Sequence, residues 1–159
     1  MLPILFCAAL ISIDQLSKYF AYTLLRPIGS IPIINGVFSL TYVENQGAAF
    51  GLFQGARWFF ILITIVVMAG IVYYYRKLPK TKAYAKIRFA LVLIASGALG
   101  NFLDRFRNGY VVDFIHARFI NFPVFNIADS YVVIGVIFIT ILYLFVYKDS
   151  NRIVEPQIL

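Results

Sequence analysis

Four long apolar runs dominate the chain, and most polar residues lie between them. The first covers about residues 2–22 and is broken only by Asp14 and Lys18. The second, Trp58–Tyr75, and the fourth, Ser130–Tyr147, are each 18 residues without a charge. The third covers about residues 87–103, with Arg88 near its start. Each approaches the roughly 20 residues that an α-helix needs to cross the hydrocarbon of a bilayer. The runs are continuous and lack period-two alternation, which points to helices and not to a barrel. Tyr73, Tyr74 and Tyr75 beside Arg76, and Tyr143 and Tyr147 beside Lys148, suit interfacial anchors.

The connections differ from one another. Residues 76–86 are short and basic, whereas 23–57 and 104–129 are long. Within the first long connection, Ile31-Pro32-Ile33-Ile34 and Val37-Phe38-Ser39-Leu40-Thr41-Tyr42-Val43 flank Asn35-Gly36. An Asn-Gly pair between two β-prone runs is a strong hairpin signal, because both turn positions favour positive φ. The expected fold is an all-α membrane protein, a single domain over 1–159, with four transmembrane helices and a small sheet from the first long loop. The first run lacks a basic leading segment and a small-residue cleavage site, so it is expected to be a retained helix.

Composition agrees with lipid as the main solvent. The chain is 62% hydrophobic and 13% charged, with mean hydropathy +0.85, against about 45–50% and 25% in soluble domains. Its formal charge of +7 raises the question of a polyanionic partner. Six of the 14 basic residues (Arg76, Lys77, Lys80, Lys82, Lys86 and Arg88) fall in one acid-free stretch between two apolar runs. That is the pattern of a cytoplasmic loop, so nucleic acid is not expected as a partner. With this loop inside, both termini are cytoplasmic and the two long loops face outward. Cys7, the only cysteine, excludes an internal disulfide and is read as a packed thiol.

The seven acidic residues carry more information. Asp149 and Glu155 belong to the inner tail, whereas Asp14, Glu44, Asp104, Asp113 and Asp129 all fall toward the outer end. Ionisable groups at membrane depth are costly and mark function by default. Plainer readings also exist. Asp14 and Lys18 are an i, i+4 pair, Asp104 has Arg105 beside it, and Asp129 with Ser130 suits a helix cap. Asp113 interrupts Tyr110-Val111-Val112-Asp113-Phe114-Ile115, where desolvation should raise its pKa. If Asp113 and Asp129 approach closely they share one proton, which is the arrangement of an aspartyl protease. Serine catalysis lacks a base beside a nucleophile, since the single histidine, His116, is read as an interfacial polar residue. Asp113 and His116 are too few ligands for a metal. Gly97-Ala98-Leu99-Gly100 reads as a small-residue patch for close helix packing. A proton-coupled transporter would place its acids at the midplane or on both sides, and a scaffold has no need for paired carboxyls.

Five blocks carry a family likeness. Asp14-Gln15-Leu16-Ser17-Lys18, Asn45-Gln46-Gly47-Ala48-Ala49-Phe50, Gly97 through Arg105, Val111-Val112-Asp113-Phe114-Ile115 and Phe125-Asn126-Ile127-Ala128-Asp129-Ser130 together resemble the bacterial signal peptidase II family. The match spans essentially the whole chain, in the family's order. The resemblance implies an intramembrane aspartyl endopeptidase of the bacterial cytoplasmic (inner) membrane, with its active site near the outer face. Its substrate would be a diacylglyceryl-modified prolipoprotein, cut just before the lipidated cysteine. It further implies that Asp113 and Asp129 are the catalytic dyad. Asp14, Lys18, Asn45, Gly97, Asn101, Asp104, Arg105 and Asn126 would line or brace that site. Asp129, placed at a helix N-terminus, is expected to be the carboxylate and Asp113 the protonated partner. An apolar groove between helices would hold the diacylglyceryl chains and the signal helix. The partners expected are the substrate and membrane lipid. No cofactor or metal is expected, and the working unit is expected to be a monomer.

Overall fold

The computed structural model describes residues 2–48, 50, 52–120 and 122–147; Ala49, Lys148, Asp149 and Glu155, named above, lie outside them. The elements run α1 (Leu2–Phe20), a π-helical turn (Ala21–Leu25), β1 (Ser30–Ile34), β2 (Phe38–Asn45), α2 (Arg57–Lys77), α3 (Lys82–Asn108), β3 (Val111–Ala117), a 3₁₀ turn (Arg118–Ile120), and α4 (Ile127–Ile141), which continues as a π-helical segment (Leu142–Tyr147). Four helical spans, Leu2–Leu25, Arg57–Lys77, Tyr84–Asn108 and Ile127–Phe145, are long and apolar enough to cross a membrane. The chain is a multi-pass membrane protein. Large apolar side chains such as Leu16, Trp58, Ile65, Val136 and Phe145 point outward, as they should when hydrocarbon and not water is the surroundings.

The helix α3 occupies the middle of the bundle and packs against α1, α2 and α4. Small residues make this possible. A Cβ on Gly97 would strike the Ala128 carbonyl oxygen and the Val132 side chain, and one on Gly100 would lie 2.5 Å from Asp14 Oδ2. On the other side of the same crossing, a Cβ on Gly135 would meet Ile94 Cγ1 at 2.6 Å. The helix extends beyond the apolar run at both ends, and at its C-terminal end the polar residues near 101–105 find partners inside the bundle. It stops at Gly109, whose φ of +85° suits only glycine well and whose N–H closes the last turn onto the Arg105 carbonyl, 3.1 Å.

A three-stranded antiparallel sheet, ordered β1-β2-β3, covers one end of the bundle. The hairpin forms where Asn35-Gly36 predicts it, but its loop takes three residues: Val37 joins the turn and donates to the Ile34 carbonyl, 3.0 Å. Gly36 supplies the positive φ of +74°. Pro32 sits on the edge strand, where a missing N–H costs no ladder bond. The third strand comes from the second long loop. Val111, Val112, Asp113 and Phe114 are buried in succession, so this apolar run is a strand covered on both faces. Val112 and Phe114 pack on Ala21 and Leu25, which seats the sheet on the end of α1.

Beyond β3 the chain returns to it. Phe125 exchanges hydrogen bonds with Ile115 (3.0 and 2.8 Å), and its carbonyl also accepts from the Phe114 N–H, 3.0 Å. This short pairing brings the start of α4 beside the middle of β3.

Candidate active site

The Phe125–Ile115 pairing places Asn126 next to Asp113 and makes Asn126 the N-cap of α4. Its side-chain oxygen accepts from the Asp129 N–H at 3.0 Å, and Asp129 Oδ2 accepts from the Asn126 N–H at 3.1 Å. This is a capping box, two backbone donors satisfied reciprocally. The cap is therefore Asn126 and not Asp129. Asp129 occupies the third helical position and keeps its other oxygen, Oδ1, for Asn101, whose Nδ2 donates at 2.7 Å.

Asparagines orient both carboxyls. Asn126 Nδ2 donates to Asp113 Oδ1 at 2.6 Å, and Asn45 Nδ2, from the end of β2, donates to Asp113 Oδ2 at 2.9 Å. Asn45 Oδ1 in turn accepts from the Gly47 N–H, 2.9 Å. Asn126 Nδ2 also reaches Asn101 Oδ1, 3.2 Å. Asp113 and Asp129 are thus linked through Asn126 and lie against one cavity of about 590 Å³. Asn45, Asn101 and Arg105 complete its polar wall, while Val111, Phe122, Phe125, Val133 and Ile134 form an apolar one.

Burial pushes the Asp113 carboxyl up to about 7, and the nearby charge of Asp129 adds to the rise. The hydrogen bonds from Asn45 and Asn126 act in the opposite direction, favouring the anion, but do not prevail. Near neutrality Asp113 therefore carries a proton for much of the time, in a site where a second carboxyl stands close.

Behind this pair lies a buried ionic cluster. Lys18 Nζ meets Asp14 Oδ2 at 2.9 Å, Asp104 Oδ2 at 3.0 Å and Asn101 Oδ1 at 2.8 Å. Asp14 Oδ1 accepts from the Ala128 N–H in the first turn of α4, 2.9 Å. Asp104 Oδ2 also accepts from the Val112 N–H of β3, 3.2 Å. Asp104 therefore pairs with Lys18 and not with its neighbour Arg105. Arg105 instead donates to the Gly47 carbonyl at 3.0 Å and lies over the Phe60 ring, 4.6 Å to the centroid. The i, i+4 pairing of Asp14 and Lys18 is present and is one part of this larger cluster.

Of the ten residues expected to form or brace the site, Gly97 alone stands outside this network and acts by its lack of bulk. Glu44, grouped there with the other acids, lies apart, accepting from Tyr42 at 3.0 Å and pairing with Arg26 at 3.5 Å. His116 is on β3 opposite Ser39, and its Nδ1 is buried without a hydrogen-bond partner among the described residues. Gln15 is a member that the sequence reading passed over. Its Nε2 donates to Asp104 at 2.9 Å, and lies 3.2 Å from both Asp14 Oδ2 and the Gly100 carbonyl. An amide beside Asp14 in an apolar run was the available signal. Among the described residues, no three His, Cys, Asp or Glu side chains gather as metal ligands would.

Comparison with known proteins follows the same lines. The family model described as signal peptidase (SPase) II matches residues 6–145. A lipoprotein signal peptidase of Caldanaerobacter subterraneus subsp. tengcongensis is 48% identical over 152 residues, covering 95% of this chain and all of that protein. One from Clostridioides difficile is also 48% identical over 152 residues, 96% of this chain and again the whole relative. A solved structure of a bacterial membrane enzyme, determined in meso at 2.3 Å resolution, superposes with a TM-score of 0.81 at 37% identity, covering 99% of this chain and 94% of that one.

Removing Lys18 strands two buried carboxylates, a change that costs on the order of 3–5 kcal/mol when a buried pair is broken. Lys18→Met should melt well below the parent in detergent, and adding Asp104→Asn should recover part of the loss. An unchanged melting temperature for Lys18→Met would show that the cluster does not hold the bundle together.

Proposed function

The chain belongs to the signal peptidase II family, and from that premise we propose that it cleaves lipoprotein signal peptides as an aspartyl endopeptidase, with Asp113 and Asp129 as its dyad. The substrate is a diacylglyceryl-modified prolipoprotein, and the cut falls just before the lipidated cysteine. The observation that carries this reading is the pair of carboxyls joined through Asn126 at one cavity, one of them half-protonated near pH 7.

The chemistry follows from that asymmetry. Asp129, at the N-terminal turn of α4, carries the negative charge where the helix dipole welcomes it. It takes a proton from a water molecule, and the water oxygen attacks the scissile carbonyl. Protonated Asp113 donates to the carbonyl oxygen as negative charge develops there. As the tetrahedral intermediate collapses, Asp129 passes the proton it took from water to the leaving amine, the C–N bond breaks, and the re-forming carbonyl returns its proton to Asp113. Asn45, Asn101 and Asn126 hold the two carboxyls in register, while Asp14, Lys18 and Asp104 brace the elements that carry them. The apolar wall of Phe122, Phe125, Val133 and Ile134 suits acyl chains and a signal helix. One chain supplies every group in the scheme, in keeping with a monomer.

We place the sheet end of the bundle outside the bacterial cytoplasmic membrane and the Arg76–Arg88 loop inside, on the strength of the charge distribution. A lipidated cysteine is anchored near headgroup level, which is where the sheet end then sits.

Purified protein incubated with a diacylglyceryl-modified prolipoprotein tests the dyad. Asp113→Asn and Asp129→Asn should each lower cleavage by about 10²–10⁴-fold, the contribution expected of a positioned acid or base. Near-parental cleavage by either variant removes that residue from the mechanism. For orientation, a cysteine introduced within residues 78–84 should resist an impermeant thiol reagent in intact cells, and one at Asn35 should react. The opposite pattern overturns the placement.

A further inference from the structure

The end of the bundle away from the sheet carries a feature that the cleavage scheme leaves unused. The helices α1 and α2 each pack on α3 and hardly meet each other. A groove of about 750 Å³ opens between them, walled by apolar residues such as Ile4, Ile11, Met68 and Ile71. Arg76, Lys80 and Arg88 stand at its mouth. From Arg88 to Leu99 its floor follows α3 for about 16 Å at the rise of an α-helix. That is the depth of one leaflet, half of a hydrocarbon core of roughly 30 Å. A second groove of about 480 Å³, walled in part by Phe6 and Phe89, shares Tyr75, Arg88 and Val92 with the first.

The cations at this mouth are placed for a ligand. Arg88 is pinned, since its Nη1 donates to the Leu78 carbonyl at 2.9 Å and its guanidinium lies 4.2 Å from the Tyr75 ring centroid. Its remaining N–H groups meet no other acceptor among the described residues. The side chains of Arg76 and Lys80 have no hydrogen bond or ion pair among those residues. The sequence contains no acid between Glu44 and Asp104, and the two acids of the inner tail, Asp149 and Glu155, lie outside the described residues. A signal helix entering here would bring its basic leading segment against like charge, and a second copy would present the same cationic end.

We propose that these grooves bind one diacyl phospholipid with an anionic headgroup. Its phosphate sits on Arg88 with Arg76 and Lys80, and one acyl chain lies in each groove. Basic pockets between transmembrane helices are suited to anionic headgroups in this way. A cationic loop that served only to set topology would need neither the pinned arginine nor the two apolar grooves that meet beside it.

Native mass spectrometry tests this on protein in neutral detergent, mixed with equal amounts of phosphatidylglycerol and phosphatidylcholine of matched chains. The parent should retain one phospholipid, with phosphatidylglycerol favoured at least about fivefold. The combined variant Arg76→Gln, Lys80→Gln and Arg88→Gln should bring that preference close to one. The variant Lys77→Gln, Lys82→Gln and Lys86→Gln, which removes as much charge away from both grooves, should keep it. Ala8→Phe fills the larger groove without altering charge, and should reduce retention of both lipids. Ala8→Phe also carries the test if the first triple variant does not fold. Equal retention of the two lipids by the parent overturns the proposal. So does an equal loss in the two triple variants, a dimer without bound lipid, or full retention by Ala8→Phe.

Discussion

The ammonium group of Lys18 holds the polar end of this protein together. Its three N–H bonds go to Asp14 on its own helix and to Asp104 and Asn101 on α3, joining α1 to α3 at two points inside an otherwise apolar bundle. A charge placed there alone would be costly, and a carboxylate placed there alone equally so. Together they permit each other. The consequence extends past the ions, because a lysine only donates. Asn101 must therefore turn its oxygen to Lys18, and its amide N–H groups are left to face Asp129. A cation without a direct contact to Asp113 or Asp129 thus determines how one of them is held.

The same one-way logic extends along the network. Asn126 turns its oxygen to the Asp129 N–H and its amide toward Asp113, and Asn45 turns its oxygen to the Gly47 N–H and its amide toward the same carboxyl. Each asparagine has only one satisfied orientation. Asp113 and Asp129 are held by groups that cannot flip without losing a bond, and such pre-organisation fixes the two carboxyls in the arrangement that the proposed mechanism requires. At the other end of the bundle the design reverses. There Arg76, Lys80 and Arg88 have no acidic partner among the described residues, and the apolar faces beside them are left open.

Much of this was legible along the chain, for identifiable reasons. Transmembrane helices are written in long local runs, so all four spans could be read, and the Asn35-Gly36 turn announced the hairpin. What escaped were features made by distant segments. The strand at Val111–Ala117 shows no alternation, because both its faces are covered and apolar residues occupy consecutive positions. Asp104 stands beside Arg105 in sequence yet pairs with Lys18, since helical geometry turns adjacent side chains apart. Asn126 rather than Asp129 caps α4, a distinction that depends on the Phe125–Ile115 pairing. Gln15 was hidden behind the more conspicuous charge of Asp14.

The proposed chemistry depends most on a single proton, held by Asp113 beside Asp129. Infrared difference spectra taken across a pH titration of ¹³C-aspartate-labelled protein observe that proton directly. The raised Asp113 pKa means that its acid form is complete well below pH 7 and is lost as the pH climbs through about 7. The carboxylic-acid band that disappears over this range should be absent in Asp113→Asn. In Asp129→Asn it should titrate at lower pH, because the neighbouring charge has gone. A band that survives Asp113→Asn, or that titrates at the same pH with and without Asp129, would contradict the dyad.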